Sequence, residues 1–373
     1  MTTLQNQRYL QKVLKAAIAR KNKKYRKKIK QKVIHVTEHY KKIFKYVSKE
    51  IHCEIKYEEG QDTISILGEF GLEEKECRSL FFETAKKCLN SRKVDLVIDF
   101  QDAKKIWPSA ITFLCSLKQW AEMNNKFNST KRHIYSTNSN NDKVNEYLNR
   151  CGFYDYVGRR EDINQAISLE DNILRIRREQ DRASVEERED QIMNLLSRYS
   201  KLSDNQLELF NSIILTETFL NVIEHGIVNE DEGWWVLAQV HEKHNFISLY
   251  IADNGIGFVN TLINGPQCED IKKLDYKEGD LIRYAFTENV SGAWDAVPET
   301  KKRKSNRGAR RGNGLKRIKE TCEKLEIDFS IISHKGYYHI DEDTEPQNFD
   351  DIVFGGTMYS FLIPTDRRPK WTV

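Results

Sequence analysis

The sequence predicts a mixed protein, an α/β unit followed by an α+β unit behind a basic helical segment. Three observations predict it. Apolar residues recur at helical spacing through the first fifty positions; short apolar runs then alternate with amphipathic stretches; and the last third carries longer apolar runs interrupted by glycine-rich turns. The boundaries that follow are residues 1–51 for the basic helical segment, 52–160 for the α/β domain, 161–200 for a charged connecting segment, 201–366 for the second domain and 367–373 for a tail.

Within the first segment, Leu10, Val13, Leu14, Ala17 and Ile18, and later Tyr25, Ile29 and Val33, sit on one side of one or two helices, with Lys and Arg filling the other. Residues 63–68 then read as a strand, 73–89 as a helix, and 94–100 (Val-Asp-Leu-Val-Ile-Asp-Phe) as a buried strand. A helix over 109–124 and a strand over 133–135 complete that alternation. Residues 172–177 suit an edge strand, and the highly charged helix at 184–199 connects the two halves. A helix over 203–225, capped by Ser203 or Asp204, opens the second domain. Strands over 233–241 and 246–252 pair with each other, 313–324 is helical, and 327–333 and 353–364 are strands.

The net charge of +4 conceals an asymmetry. Residues 1–37 hold twelve Lys or Arg and no acidic residue, leaving 48 basic against 56 acidic residues elsewhere, a net of −8. The basic character therefore belongs to the leading segment, where residues 8–32 suit sequence-independent contact with nucleic acid or, equally, a solvated helix face or coiled-coil arm. No run approaches the roughly 18 apolar residues of a membrane span, and the basic start lacks the apolar stretch of a secretory signal, so the expected setting is cytoplasmic, with no membrane partner. Cys53, Cys77, Cys88, Cys115, Cys151, Cys268 and Cys322 form an odd set without a CxxC pair, which predicts reduced packing residues and no structural zinc.

The candidate chemistry lies in the last third. Glu217, Asn221 and Glu224 stand at i, i+4 and i+7, one face of a helix, with Phe219, Leu220, Val222 and Ile223 taking the rest. A carboxylate there can orient a water and an amide oxygen is a hard ligand suited to Mg²⁺, although taken alone the segment is equally an amphipathic helix with a solvated face. The strand that follows runs into Asp253-Asn-Gly255-Ile-Gly257, a DxGxG turn whose glycines admit a ligand close to backbone and whose carboxylate can accept from an exocyclic amine; Asp-Asn-Gly is also ordinary turn chemistry. Next come Arg310-Arg311-Gly312-Asn-Gly314-Leu315 at the start of a helix, where backbone N–H groups favour phosphate, and Gly355-Gly356-Thr357 at the start of the last strand.

In order and in element type, the four boxes ExxxN, DxGxG, GxG before a helix and a late GT resemble those of the GHKL class, the gyrase, heat-shock chaperone, histidine kinase and MutL type ATPases. The wording Asn-Val-Ile-Glu-His-Gly at 221–226 is most similar to anti-sigma-factor serine kinases. The resemblance implies a Bergerat two-layer α/β sandwich over 201–366 that binds ATP and Mg²⁺. It implies Glu217 as general base, Asn221 as the Mg²⁺ ligand and Asp253 as the adenine anchor. Gly255 and Gly257 would shape the adenine pocket, Thr357 would support it, and Gly312, Gly314 and Leu315 would embrace the phosphates. Arg310 and Arg311, at the end of a 54-residue stretch where the class keeps its mobile lid, would neutralise them. His35 and His39 lack a phosphoacceptor context, which disfavours two-component phosphotransfer.

Upstream, residues 94–111 and the later Val144-Asn-Glu-Tyr-Leu-Asn-Arg-Cys-Gly152-Phe153 resemble the STAS domain of anti-anti-sigma factors. The phosphorylated serine of that family aligns with Pro108, which has no hydroxyl, and Ser109 remains as a helix cap. The functional expectation is a GHKL-type ATPase whose lid closure switches a protein–protein contact, through a protein partner or a homodimer. The alternatives are an anti-sigma-type serine/threonine kinase and a nucleic-acid-associated module.

Overall fold

The computed structural model describes residues 51, 53–58, 62–90, 95–123, 133–158, 172–181, 183–226, 232–257, 260–262, 277–286, 314–340, 346–349 and 355–365. The chain divides into Met1–Lys45 and Tyr46–Val373, and every described residue belongs to the latter. The basic segment, with its expected helices and its expected nucleic-acid contact at residues 8–32, lies outside the described residues.

The architecture is mixed α/β. Its first sheet holds β1 (Ile55–Glu58), β2 (Thr63–Ile66), β4 (Asp95–Asp99) and β6 (His133–Ser136), with β1 antiparallel to β2 and the rest parallel. A short pair, β3 (Glu69–Phe70) and β5 (Lys105–Ile106), lies beside it. Two helices supply its crossovers, α1 (Lys75–Asn90) and α2 (Pro108–Met123). Their apolar faces meet through Phe81, Phe82 and Phe113, the last edge-on to both others at 5.2 and 5.0 Å. α3 (Asp142–Arg150), capped by the Asn141 side chain, and α4 (Phe153–Val157) close this layer.

After β7 (Ile173–Leu174) and β8 (Arg178–Glu179), α5 (Ala183–Tyr199) leads to a long helix, α6. α6 is α-helical over Asp204–Leu209 and Thr216–Asn221 and π-helical over Phe210–Leu215 and Val222–Gly226. Of the two expected caps Ser203 serves, its N–H donating to Gln206 Oε1 at 2.9 Å. The remaining elements are β9 (Trp234–His241), β10 (Phe246–Asp253), α7 (Glu278–Tyr284), α8 (Gly314–Leu325), β11 (Asp328–Ser333), β12 (Gly336–His339), β13 (Gln347–Asn348) and β14 (Thr357–Pro364). They build an eight-stranded sheet in the order β13-β12-β11-β14-β10-β9-β7, with β8 also on β9.

This sheet is buried on both sides, which explains why β10 is apolar almost throughout. With a period of two, Trp234, Val236, Ala238 and Val240 of β9 and Ile247, Leu249 and Ile251 of β10 face the core under α6 and α8. The alternate set, with Trp235 opposite Ala252 and Leu237 opposite Tyr250, faces the other way, where α2 lies across β9 and β10. Thus α2 serves both sheets, and its mostly buried sequence follows from that.

Two expectations are corrected. Ser109 does not cap α2, because Pro108 already occupies the first helical position; the hydroxyl instead accepts from Leu72 N–H and donates to Glu73, both at 2.9 Å. Cys53 and Cys77 are joined in a disulfide with Cα atoms 5.3 Å apart, because the approach to β1 runs beside α1; Cys88, Cys115, Cys151 and Cys322 are buried thiols, as expected. Leu220 is 44 % exposed, in contrast to Phe219 and Val222 on the same helix. No helix among the described residues is long and apolar enough to cross a membrane.

Candidate functional site

The end of β10 and the start of β14 are neighbours by register, Ala252 opposite Met358, so the turn after one strand meets the glycines before the other. Asp253 is almost fully buried there. Its Oδ1 accepts from the Gly255 N–H at 3.0 Å, and the Thr357 N–H also bonds the carboxylate. Burial nevertheless dominates and pushes its carboxyl up to about 7, because the ionised form loses more in water contact than two N–H groups restore. Gly257 has φ of +71°, and a Cβ there would lie 2.8 Å from the Gly355 carbonyl oxygen and 3.0 Å from that of Gly356. A Cβ on Gly356 would overlap the Asp253 carbonyl, so the two glycine segments fit only as glycines. Thr357 Oγ1 lies 3.1 Å from Ser333 Oγ on β11, fixing the strand start from the other side.

Above this end of the sheet runs α6. The sequence assigned Glu217, Asn221 and Glu224 to one face, and the α-helical turn at Thr216–Asn221 keeps the first two together. Glu224 falls in the second π-helical stretch and is exposed. Asn221 hydrogen-bonds Tyr359 of β14, a phenol whose buried position raises its pKa well above the usual range. Glu217 is partly buried and forms an ion pair with Arg317 of α8. Gly314 opens α8 so near this carboxylate that a Cβ would stand 2.8 Å from Glu217 Oε2. Leu315 packs against the hydrophobic core. Arg310, Arg311 and Gly312 lie outside the described residues, as does most of the stretch expected to be the lid; α7 within it packs on β12.

Two features were not singled out in the sequence. Arg317 stands in the first turn of a strongly amphipathic helix and reads there as a solvated cation. Asn254 reads as turn chemistry, yet it is 1 % exposed and hydrogen-bonded to Ser116 of α2, while Trp120 of the same helix packs over Gly355. The first layer thus touches both glycine segments of the site.

The assembled set brings a buried carboxylate, an amide, an ion-paired acid and a helix N-terminus to one end of the sheet. A buried acceptor suits an exocyclic amine, and a helix N-terminus beside an acid and an amide suits phosphate with a hard cation, while the glycine turns let the two strand ends close on each other. Among the described residues no group of three or more His, Cys, Asp or Glu could hold a metal by itself. Mg²⁺ bound with substrate phosphates needs only one or two protein oxygens, and Asn221 and Glu217 are of that kind. No family model matches this sequence, and no curated protein matches it.

Proposed function

We propose that this chain is a GHKL-type regulatory ATPase that binds ATP with Mg²⁺ and uses nucleotide-dependent closure to switch a contact with a protein partner. In this reading the eight-stranded sheet with α6 and α8 is the nucleotide domain, and the four-stranded sheet with α1 and α2 is a STAS-like layer docked on its back. The observation that carries it is the convergence of four separate segments on one end of the sheet: Asp253 to Gly257, Gly355 to Thr357, Glu217 with Asn221, and Gly314.

Asp253 would receive the adenine amine, with Gly255, Gly257 and Thr357 shaping the base pocket. Asn221 would lend its amide oxygen to Mg²⁺, and Gly312 and Gly314 would offer N–H groups to the phosphates, with Arg310 and Arg311 adding charge. Bound ATP supplies an activated phosphoanhydride. Glu217, once released from Arg317, would take the proton of the attacking water at its carboxylate oxygen. Two π-helical stretches flanking the Glu217 turn support the reading, since such bulges recur at functional positions. The exposed large hydrophobic residues among those described, Leu220 and Ile256, adjoin Asn221 and lie between Gly255 and Gly257, where a closing segment or partner would cover them.

Calorimetry of ATP with Mg²⁺ tests the reading. Asn221→Ala is expected to abolish Mg²⁺-dependent binding, and Glu217→Gln to keep binding while stopping turnover. ATP affinity unchanged in both Asn221→Ala and Asp253→Asn would remove the nucleotide assignment. Phosphate transfer to an added protein, in place of release, would make the chain a serine/threonine kinase; its own Ser109 is buried against Glu73 and is no acceptor.

A further inference from the structure

A cavity of about 510 Å³ opens where α4 meets β7 and α5, on the far side of β9 from the site above. Its floor is backbone on backbone. The Ile176 N–H donates to the Cys151 carbonyl at 2.8 Å, and Gly152, at φ +85°, comes so close that a Cβ would stand 2.8 Å from the Ile176 carbonyl oxygen.

Three guanidinium groups border the cavity, Arg175, Arg177 and Arg188. Arg188 is 2 % exposed. Its Nε donates to Glu179 at 2.8 Å and its Nη1 to Gln191 at 3.0 Å and to the Arg175 carbonyl at 3.3 Å, but the buried Nη2 has no hydrogen-bond partner among the described residues. Arg175 gives Nη2 to Asp155 and to the Asn149 carbonyl, while its buried Nε likewise has none. Arg177 is spent on Glu179 and Glu187. An unsatisfied N–H on a buried cation is among the costlier groups a fold retains, and two beside one cavity call for an oxygen acceptor.

The opposite wall is apolar. Leu174 packs toward the core, so Ile173 faces the other way by strand alternation, alongside Ile176 and the Tyr156 ring, itself edge-on to Trp235 at 6.0 Å. Asp155, Glu179 and Glu187 match the three arginines in charge, which disfavours a polyphosphate and leaves room for one oxyanion. We infer that this cavity binds a small amphipathic oxyanion, one carboxylate or phosphate monoester on a compact apolar or aromatic body. Arg188 and Arg175 hold the oxyanion; Ile173, Ile176 and Tyr156 hold the body.

Titration of the full chain with benzoate and with phenyl phosphate tests this. At least one is expected to bind with 1:1 stoichiometry, and inorganic phosphate about tenfold more weakly, for want of contact with the apolar wall. Whichever probe binds names the head group. Ile173→Trp, which fills the cavity and leaves every ion pair in place, and Arg188→Lys, which keeps charge but loses the second Nη, are each expected to weaken binding about tenfold or more. Asp253→Asn leaves it unchanged, separating this site from the nucleotide reading. No saturable binding of either probe up to about 5 mM, or affinity untouched by Ile173→Trp, overturns the inference.

Discussion

Asn254 and Ser116 exchange hydrogen bonds across the junction of the two layers: Asn254 Nδ2 donates to the Ser116 carbonyl at 2.8 Å, and Ser116 Oγ donates back to Asn254 Oδ1. Both residues are buried, so water cannot replace a lost partner. Ser116→Ala is therefore expected to cost about 1–3 kcal/mol, the desolvation penalty of an amide oxygen left alone. Urea unfolding measures it, and an unshifted midpoint would mean that the amide finds another donor. Because Asn254 adjoins Asp253, the variant should also weaken ATP binding if the nucleotide reading holds.

A second polar bridge joins the layers further along the sheet. Glu73 accepts from Ser109 at 2.9 Å and from the Tyr250 hydroxyl at 2.5 Å, and burial raises its pKa despite these donors and the nearby Arg78. Arg78 in turn lies over the Tyr337 ring at 3.7 Å and donates to Gln347 at 3.0 Å. Glu73→Ala strands two hydroxyls and should cost more than Glu73→Gln, which keeps the shape and an acceptor oxygen; a gap of about 1–3 kcal/mol is expected in chemical unfolding. Equal losses would assign the effect to packing alone.

Much of this arrangement was legible in the sequence, for reasons visible in particular residues. β9 and β10 announce themselves because both faces are buried, and Gly257, Gly314 and Gly356 because a Cβ at each would collide with a neighbour. What stayed hidden depends on partners distant in sequence. Ser109 looks like a cap until Glu73 and Leu72 are beside it, and Cys53 becomes half of a disulfide only when β1 lies against α1. The π-helical turns of α6 leave no local signature, so a strict α period groups Glu224 with Glu217 although the helix does not keep that period. Arg317 gives no signal, because a cation on an amphipathic helix reads as solvated.

Asp253 gives a pH dependence whose sign can be worked out. Its pKa is raised in the folded state, from 3.8 to about 7, so the folded protein binds the extra proton between those values. The group's contribution is therefore unfavourable to folding as pH rises from about 4 through 7, by an amount of order a few kcal/mol. Asp253→Asn removes the penalty, and its stability relative to the parent should be greater at pH 8 than at pH 5. A pH-independent difference would show that the carboxyl is not perturbed. If the nucleotide reading holds, binding an amine donor favours the ionised form, so nucleotide affinity should move oppositely, falling as pH drops below about 7.

If the chain hydrolyses ATP as proposed, the Glu217–Arg317 pair bears on turnover. As a partly exposed ion pair it adds little to stability, so its effect should be sought in kinetics. While the guanidinium holds the carboxylate, Glu217 cannot accept a proton from water; a base that must first be released gives slow turnover. Arg317→Gln is expected to raise kcat at saturating ATP. Glu217→Gln is expected to lower it by about 10²–10⁴-fold, the usual worth of a general base. The double variant should be as slow as Glu217→Gln alone, because releasing a group that is no longer there changes nothing. Steady-state phosphate release from the four proteins closes the cycle. A fall in kcat with Arg317→Gln that adds to the Glu217→Gln loss would instead assign Arg317 an independent part in phosphate binding and end its role as a restraint.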